Sequence, residues 1–152
     1  MPATEHYLDT SVLIKLYVKE VFSEEVELYL ADIDRPVISS LTRLEWQYAM
    51  ARHQRTGAFS EDYLATARRE FTRHRTEGYF RICPVHDALF TQATDLLDAV
   101  SPIPLRSMDA LHLAAACSLG KPTFATADRI LADAARKIGL TVHTFFDTKK
   151  PS

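Results

Sequence analysis

Short apolar runs alternate with stretches of helical spacing along the whole chain. The stub "HYLD" reads as a strand, and in "SVLIKLYVKE" after it Val12, Leu13, Leu16 and Tyr17 share one helical face, with Lys15 and Lys19 outside. "SEEVELYLADI" is a second helix, for which Ser23 is the expected N-cap and the acids of its first turn suit the helix dipole. "RPVIS" is a strand stub after a proline. "LTRLEWQYAMARHQRTG" is a helix stopped at Gly57, with Leu41, Leu44, Tyr48 and Ala49 as its expected buried stripe. "SEDYLATARREFTRHRTEG" follows, capped by Ser60 and stopped at Gly78. This helical pair is long and is expected to project as an arm. Then come the strand "YFRICPV", the helix "HDALFTQATDLLDAV", the loop "SPIPL", the helix "SMDALHLAAACSLG", the strand "PTFAT", the helix "ADRILADAARKIG" and the strand "LTVHTF".

Five strands and about seven helices result. Each strand is short and apolar with little two-residue alternation, which predicts a parallel sheet covered on both faces. The expected fold class is therefore α/β: a three-layer sandwich around a central parallel five-stranded sheet. The 152 residues read as one domain over 1–148, with a frayed tail at 149–152.

Composition narrows the function. Charged residues make up 25% and the net charge is −2. The chain is thus not a generally basic nucleic-acid binder, and any polyanion site must be local or metal-assisted. Cys83 and Cys117 lie far apart in apolar runs and read as reduced core thiols. The N-terminus lacks the regions of a signal peptide, and no run of about 18 apolar residues offers a membrane span. A cytoplasmic protein is expected.

Four acids break the local pattern. Sites on open α/β sheets form at the carboxyl ends of strands. Asp9 follows the first strand and Asp128 the fourth. Glu45 falls within the apolar stripe of its helix, and Asp109 opens a helix that is apolar almost all round. Each acid has an ordinary reading. Asp9 and Asp128 can cap helices, Asp109 suits a helix N-terminus, and Glu45 can pair with Arg43 or Arg52. Together they read differently, because gathered carboxylates raise one another's pKa unless a cation sits among them. A hard divalent ion suits an all-oxygen donor set. No Cys-His pair or Ser-His-Asp set offers a nucleophile. His112, three residues after Asp109, reads as a satisfied buried histidine, with an Asp-x-x-His ligand pair as the alternative.

The ordered set "YLDTSVLIKLY", "LTRLEWQYA", "LRSMDALHLAAA" and "FATADRILADAARKIGL" resembles the PIN-domain ribonucleases, and among them the VapC-type toxins of type II toxin–antitoxin pairs. The likeness runs over nearly the whole chain. It implies Mg²⁺-dependent RNA cleavage, with Mn²⁺ as a substitute, and it implies Asp9, Glu45, Asp109 and Asp128 as the acids of catalysis and metal binding. Asp9 and Asp109 are the first choice as direct ligands. The small hydroxyl residues of the family fall on Thr10 or Ser11 and on Thr126, expected to orient the carboxylates. A homodimer and an antitoxin that blocks the acidic site are implied too, and Trp46, Tyr48 and Phe59 are candidates for the antitoxin's groove. The arginines Arg52, Arg55, Arg68, Arg69, Arg73 and Arg75 are candidates for RNA contact, against the plainer reading of a solvated face.

Two rivals stand beside this reading. A dehalogenase-like phosphatase needs a second acid two residues after its nucleophile, where this chain has Ser11. A catalytically silent binding or scaffold module has no need of all four acids.

Overall fold

The computed structural model describes residues 3–147; the tail expected at 149–152 lies outside them. Twelve elements follow one another: β1 (His6–Leu8), α1 (Thr10–Tyr17), α2 (Ser23–Ala31), β2 (Val37–Ser39), α3 (Ser40–Thr56), α4 (Glu61–Thr76), β3 (Arg81–Cys83), α5 (Asp87–Ala99), α6 (Ser107–Cys117), β4 (Thr123–Thr126), α7 (Arg129–Lys137) and β5 (Thr141–Thr144). The strands form one sheet in the order β3-β2-β1-β4-β5, and every pairing is parallel.

The sheet is central because its strands alternate between two cores. Tyr7, Val37 and Phe124 point into one, beneath α5, α6 and α7. Leu8, Ile38 and Ala125, each the next residue along, point into the other, with Val12, Leu13, Trp46, Met50, Leu64 and Phe71. Three layers result, as the alternation of elements predicts. On one face α6 is buried from Ala110 through Ala116, and its four alanines let α5 approach closely.

Local signals explain most boundaries. The Ser39 hydroxyl and Thr42 form a capping box at the start of α3, and Gly57 ends it at φ 69°. Ser60 caps α4 through the Tyr63 amide. Elsewhere the sequence misleads. Ser23 does not cap α2. It is the first helical residue, and its buried hydroxyl accepts from the Glu20 amide and donates to the Val18 carbonyl of the preceding turn. Helix α1 stops at Tyr17, and Lys15 folds over to Glu20 at 3.5 Å instead of standing in solvent.

The stripe expected on α3 is also corrected. The buried residues are Leu41, Thr42, Trp46 and Met50. Leu44 and Tyr48 are 64% and 62% exposed, so Glu45 lies on the flank of the true stripe. Trp46 packs on Phe71 with ring centroids 4.5 Å apart, and Phe59 stacks on Tyr63. Trp46 is thus a core residue, whereas Tyr48 is exposed. The α3–α4 pair is not a free arm, since Leu64, Ala67 and Phe71 of α4 are buried in the domain.

Candidate active site

Strand order positions the site. The chain leaves β1 toward β2 on one side, then returns across it to add β4 on the other. The carboxyl ends of β1 and β4 thus flank the topological switch point, where open parallel sheets leave a crevice. Asp9 comes one residue after β1, and Asp128 two residues after β4.

Asp9 is 3% exposed and held on all sides. Its Oδ1 accepts from the Val12 amide at 3.1 Å and from the Ser11 hydroxyl at 2.6 Å. Its Oδ2 accepts from the Thr126 hydroxyl at 2.5 Å. Both hydroxyls are themselves fixed by backbone amides. Ser11 Oγ accepts from the Ala127 amide at 2.9 Å, and Thr126 Oγ1 from the Asp128 amide at 3.0 Å. Asp128 Oδ1 in turn accepts from the Leu131 amide at 2.9 Å. Asp9 and Asp128 do cap α1 and α7, so the ordinary reading of each holds alongside its place in the cluster.

Glu45 reaches the same edge from α3. Its Oε1 accepts from the Thr10 hydroxyl at 2.6 Å and from His112 Nε2 at 2.5 Å. Neither Arg43 nor Arg52, the partners considered from sequence, pairs with it among the described residues. The ring of His112 is 2% exposed, and its Nδ1 is bonded to the Tyr7 hydroxyl at 2.8 Å. The ordinary reading of His112, a satisfied buried histidine, describes it. Its link to Glu45 was not legible from sequence, nor was the part of Tyr7. The faint signals were the i, i+3 spacing of Asp109 and His112 and the position of Tyr7 two residues before Asp9.

Electrostatics ties the fourth acid to the others. Burial, then the Asp128 and Asp9 carboxylates, push Asp109 up to about 6 against the opposing charges of His112 and Arg106. Burial pushes Asp9 up as well, in spite of His112 and its own hydrogen bonds. Glu45 moves the other way: burial would raise it, but the hydrogen bond and charge of His112, with Thr10, hold it below the usual carboxylate range. Asp109 is thus coupled to Asp128 and Asp9, and Glu45 is linked to Asp9 and Asp109 through His112.

The donor chemistry at this edge is carboxylate oxygen, which fits a hard divalent cation. Among the described residues Asp9, Asp109 and Asp128 form no ion pair with a lysine or arginine, and no donor satisfies Asp109. Repulsion is the state a cation would relieve. No three His, Cys, Asp or Glu side chains among the described residues stand close enough together to make a ready ligand cage. Two of the acids are turned instead toward their capping amides.

The arginines do not gather at this edge as a set. Arg73 is paired with Glu70 at 2.8 Å and Glu77 at 3.1 Å. Arg75 lies over the Phe71 ring at 4.7 Å, with its Nε buried and unpartnered. Arg68 donates to Gln54 and Arg69 to Thr66, while Arg52 and Arg55 are exposed on α3. Arg43, not among the arginines expected to contact RNA, lines a groove with Arg68 and Arg75 between α3 and α4.

Fold and cluster together define a parallel α/β protein with an acidic site at its switch point. The PIN domain model matches residues 6–137. Ribonuclease VapC46 of Mycobacterium tuberculosis (strain ATCC 25618 / H37Rv) is 30% identical over 138 residues, which cover 90% of this chain and 94% of that protein. Ribonuclease VapC47 of M. tuberculosis (strain CDC 1551 / Oshkosh) is 29% identical over 139 residues, covering 88% and 91%. The chain belongs to the PIN-domain family, on its VapC side. Among solved structures, VapBC2 from Rickettsia felis bound to a DNA fragment from their promoter superposes with a TM-score of 0.62 at 17% identity, over 92% of this chain and 98% of that one. At that identity the likeness speaks for the fold.

Proposed function

We propose that this protein is a divalent-metal-dependent endoribonuclease, the toxin of a type II toxin–antitoxin pair acting in the cytoplasm. One observation carries the reading: the switch point of the sheet sets Asp9 and Asp128 just beyond the ends of the adjacent parallel strands β1 and β4, and among the described residues no lysine or arginine pairs with either of them or with Asp109. The names of the VapC relatives support the ribonuclease class. Ser11 in place of a second acid, donating to Asp9, disfavours the phosphatase.

Asp9, Asp109 and Asp128 would hold Mg²⁺ or Mn²⁺, with Glu45 as a further ligand or as the group that orients water. A bound divalent ion would lower the pKa of water and offset charge on the phosphoryl oxygens. The chain's own part is preorganisation. Ser11 and Thr126 fix the two oxygens of Asp9, and Thr10 fixes one oxygen of Glu45, so neither carboxylate needs to reorient when substrate arrives. Substrate phosphates need positive charge beyond this edge, for which the arginines of α3 and α4 are the candidates.

The partner is an antitoxin that covers the acids. A groove of about 380 Å³ between α1 and α4, lined by Leu16, Tyr17, Tyr63 and Ala67 and rimmed by Asp62 and Glu70, suits an apolar segment with basic flanks. A homodimer is the expected assembly.

The test is direct. Purified protein is incubated with total RNA with Mg²⁺ or with EDTA, and the new RNA ends are sequenced. Cleavage that needs the ion and is abolished by Asp9→Asn is expected. Equal cleavage by Asp9→Asn, or none by the wild-type chain freed of its antitoxin, overturns the proposal.

A further inference from the structure

A buried polar chain crosses the domain behind the acids. It starts at Ser39, the last residue of β2, whose Oγ accepts from the Tyr7 hydroxyl at 3.0 Å. Tyr7, on β1, is bonded to His112 Nδ1 at 2.8 Å. His112, on α6, meets Glu45 Oε1 at 2.5 Å, and Thr10, on α1, donates to the same oxygen at 2.6 Å. Tyr7 and Ser39 are 0% exposed and His112 is 2% exposed.

Polar groups this deep cost stability unless each is bonded, and phenylalanine and leucine would pack in the same places without that cost. What the chain achieves is at its end. An ionised carboxylate only accepts, so Nε2 carries a hydrogen and donates to Glu45. Thr10 spends its single hydroxyl hydrogen on Oε1 too. Among the described residues Oε2 accepts nothing. One oxygen is therefore doubly clamped, and the other has no hydrogen-bond partner among the described residues.

We propose that Tyr7 and His112 are positioning residues of the cleavage reaction: through a buried imidazole they lock Glu45 so that only its Oε2 is available to water or to a cation beside Asp9 and Asp109. This rests on the nuclease reading. His112 itself is too deeply enclosed to touch RNA and acts through Glu45 alone. The clamp ties α3 and α6 to the strand that leads into Asp9, so Glu45 keeps its place relative to Asp9 although it stands on a separate helix.

The test is a double-variant cycle on the full chain. Tyr7→Phe is expected to lower kcat roughly 10–100-fold, the range for groups that orient a metal-site ligand, with KM unchanged. In a Glu45→Gln background the same substitution should cost less than about twofold, because the group it acts through is already neutral. His112→Gln, which keeps an N–H for Glu45, should retain more activity than His112→Leu. Should Tyr7→Phe melt below the assay temperature, the His112 pair carries the test alone. In metal-free protein the His112 Nε2–H proton should resonate far downfield by NMR and move upfield in Glu45→Gln. Full activity in Tyr7→Phe, multiplying losses in the double variant, or equal activity of His112→Leu and His112→Gln overturns the clamp. If the wild-type chain cuts no RNA, both proposals fall. If Asp9→Asn abolishes activity that Tyr7→Phe leaves whole, only the clamp falls.

Discussion

The acidic edge has two halves that are built differently. Around Asp9 and Asp128 the backbone does the positioning: the carboxylates accept from the Val12 and Leu131 amides, and the hydroxyls beside them accept from the Ala127 and Asp128 amides. Around Glu45 the bonds run from side chain to side chain, through Thr10, His112 and Tyr7. The first half exists once two strand-to-helix turns have formed and β1 lies beside β4. The second exists only when α1, α3 and α6 are all docked on the sheet. A backbone-rooted site is hard to disorient without damaging the fold, whereas a site rooted in side chains can be loosened while the fold stands. This contrast makes the backbone-rooted half the place to look for coupled losses of stability and activity.

Thr126→Val should produce the largest such loss. The residue is fully buried, and valine matches its shape while removing the donor to Asp9 Oδ2 and the acceptor of the Asp128 amide. Leaving those groups unpaired should cost about 1–3 kcal/mol. Thermal melting in the absence of metal reads that loss. Metal affinity should fall roughly 10–100-fold with it, as for other groups that orient a ligand. A variant as stable as the parent, with unchanged affinity, would erase the distinction between the halves.

Asp109→Asn should act with the opposite sign on stability. Because folding raises this carboxyl from 3.8 to about 6, the folded chain binds the proton more tightly than the unfolded chain. The stabilisation from that proton is complete below the unfolded value and is lost as pH rises through about 6. At pH 8 the metal-free wild type therefore carries repulsion that asparagine removes, and the variant should melt a few degrees higher. Near pH 3 the two should melt together. Saturating Mg²⁺ should reverse the order at pH 8. For the same reason metal binding by the wild type should weaken as pH falls below about 6, when protons compete for the ligand. Melting curves at both pH values, with and without Mg²⁺, give all of these comparisons.

The smallest effect separates cap from charge at Asp128. Asp128→Ala removes the N-cap of α7 and should cost about 1 kcal/mol. Asp128→Asn keeps an oxygen for the Leu131 amide and should melt close to the parent. Cleavage should fall in both. A parental melting temperature for Asp128→Ala would show that the cap contributes nothing to folding.

Much of the backbone-rooted half was legible in the sequence. Asp9 and Asp128 stand out because each follows an apolar stub and opens a helix, with Ser11 two positions after the first and Thr126 two before the second; that Thr126 also donates to Asp9, across 117 residues, needed β1 and β4 side by side. Glu45 was noticed for a reason that the structure corrects. Helix α3 has apolar residues around much of its circumference, so its period did not choose between a stripe through Leu44 and Tyr48 and the buried one through Trp46 and Met50. Ser23 failed as a cap because its hydroxyl is taken by the turn before it. Serine bonds readily to nearby backbone in either arrangement, and spacing alone does not distinguish them.

By itself the sequence determined the succession of strands and helices, the capping of α4 by Ser60, the stop of α3 at Gly57, and the placing of two acids after parallel strands. These depend on hydrogen bonds and side-chain periods within a few residues of each other, and a linear pattern carries that information. Only the tertiary structure decided that β1 lies between β2 and β4, and that His112 meets Glu45 across 67 residues and Tyr7 across 105. Those contacts depend on how two separate cores pack against the faces of one sheet, and packing of that kind is a property of the whole chain, with no local period to announce it.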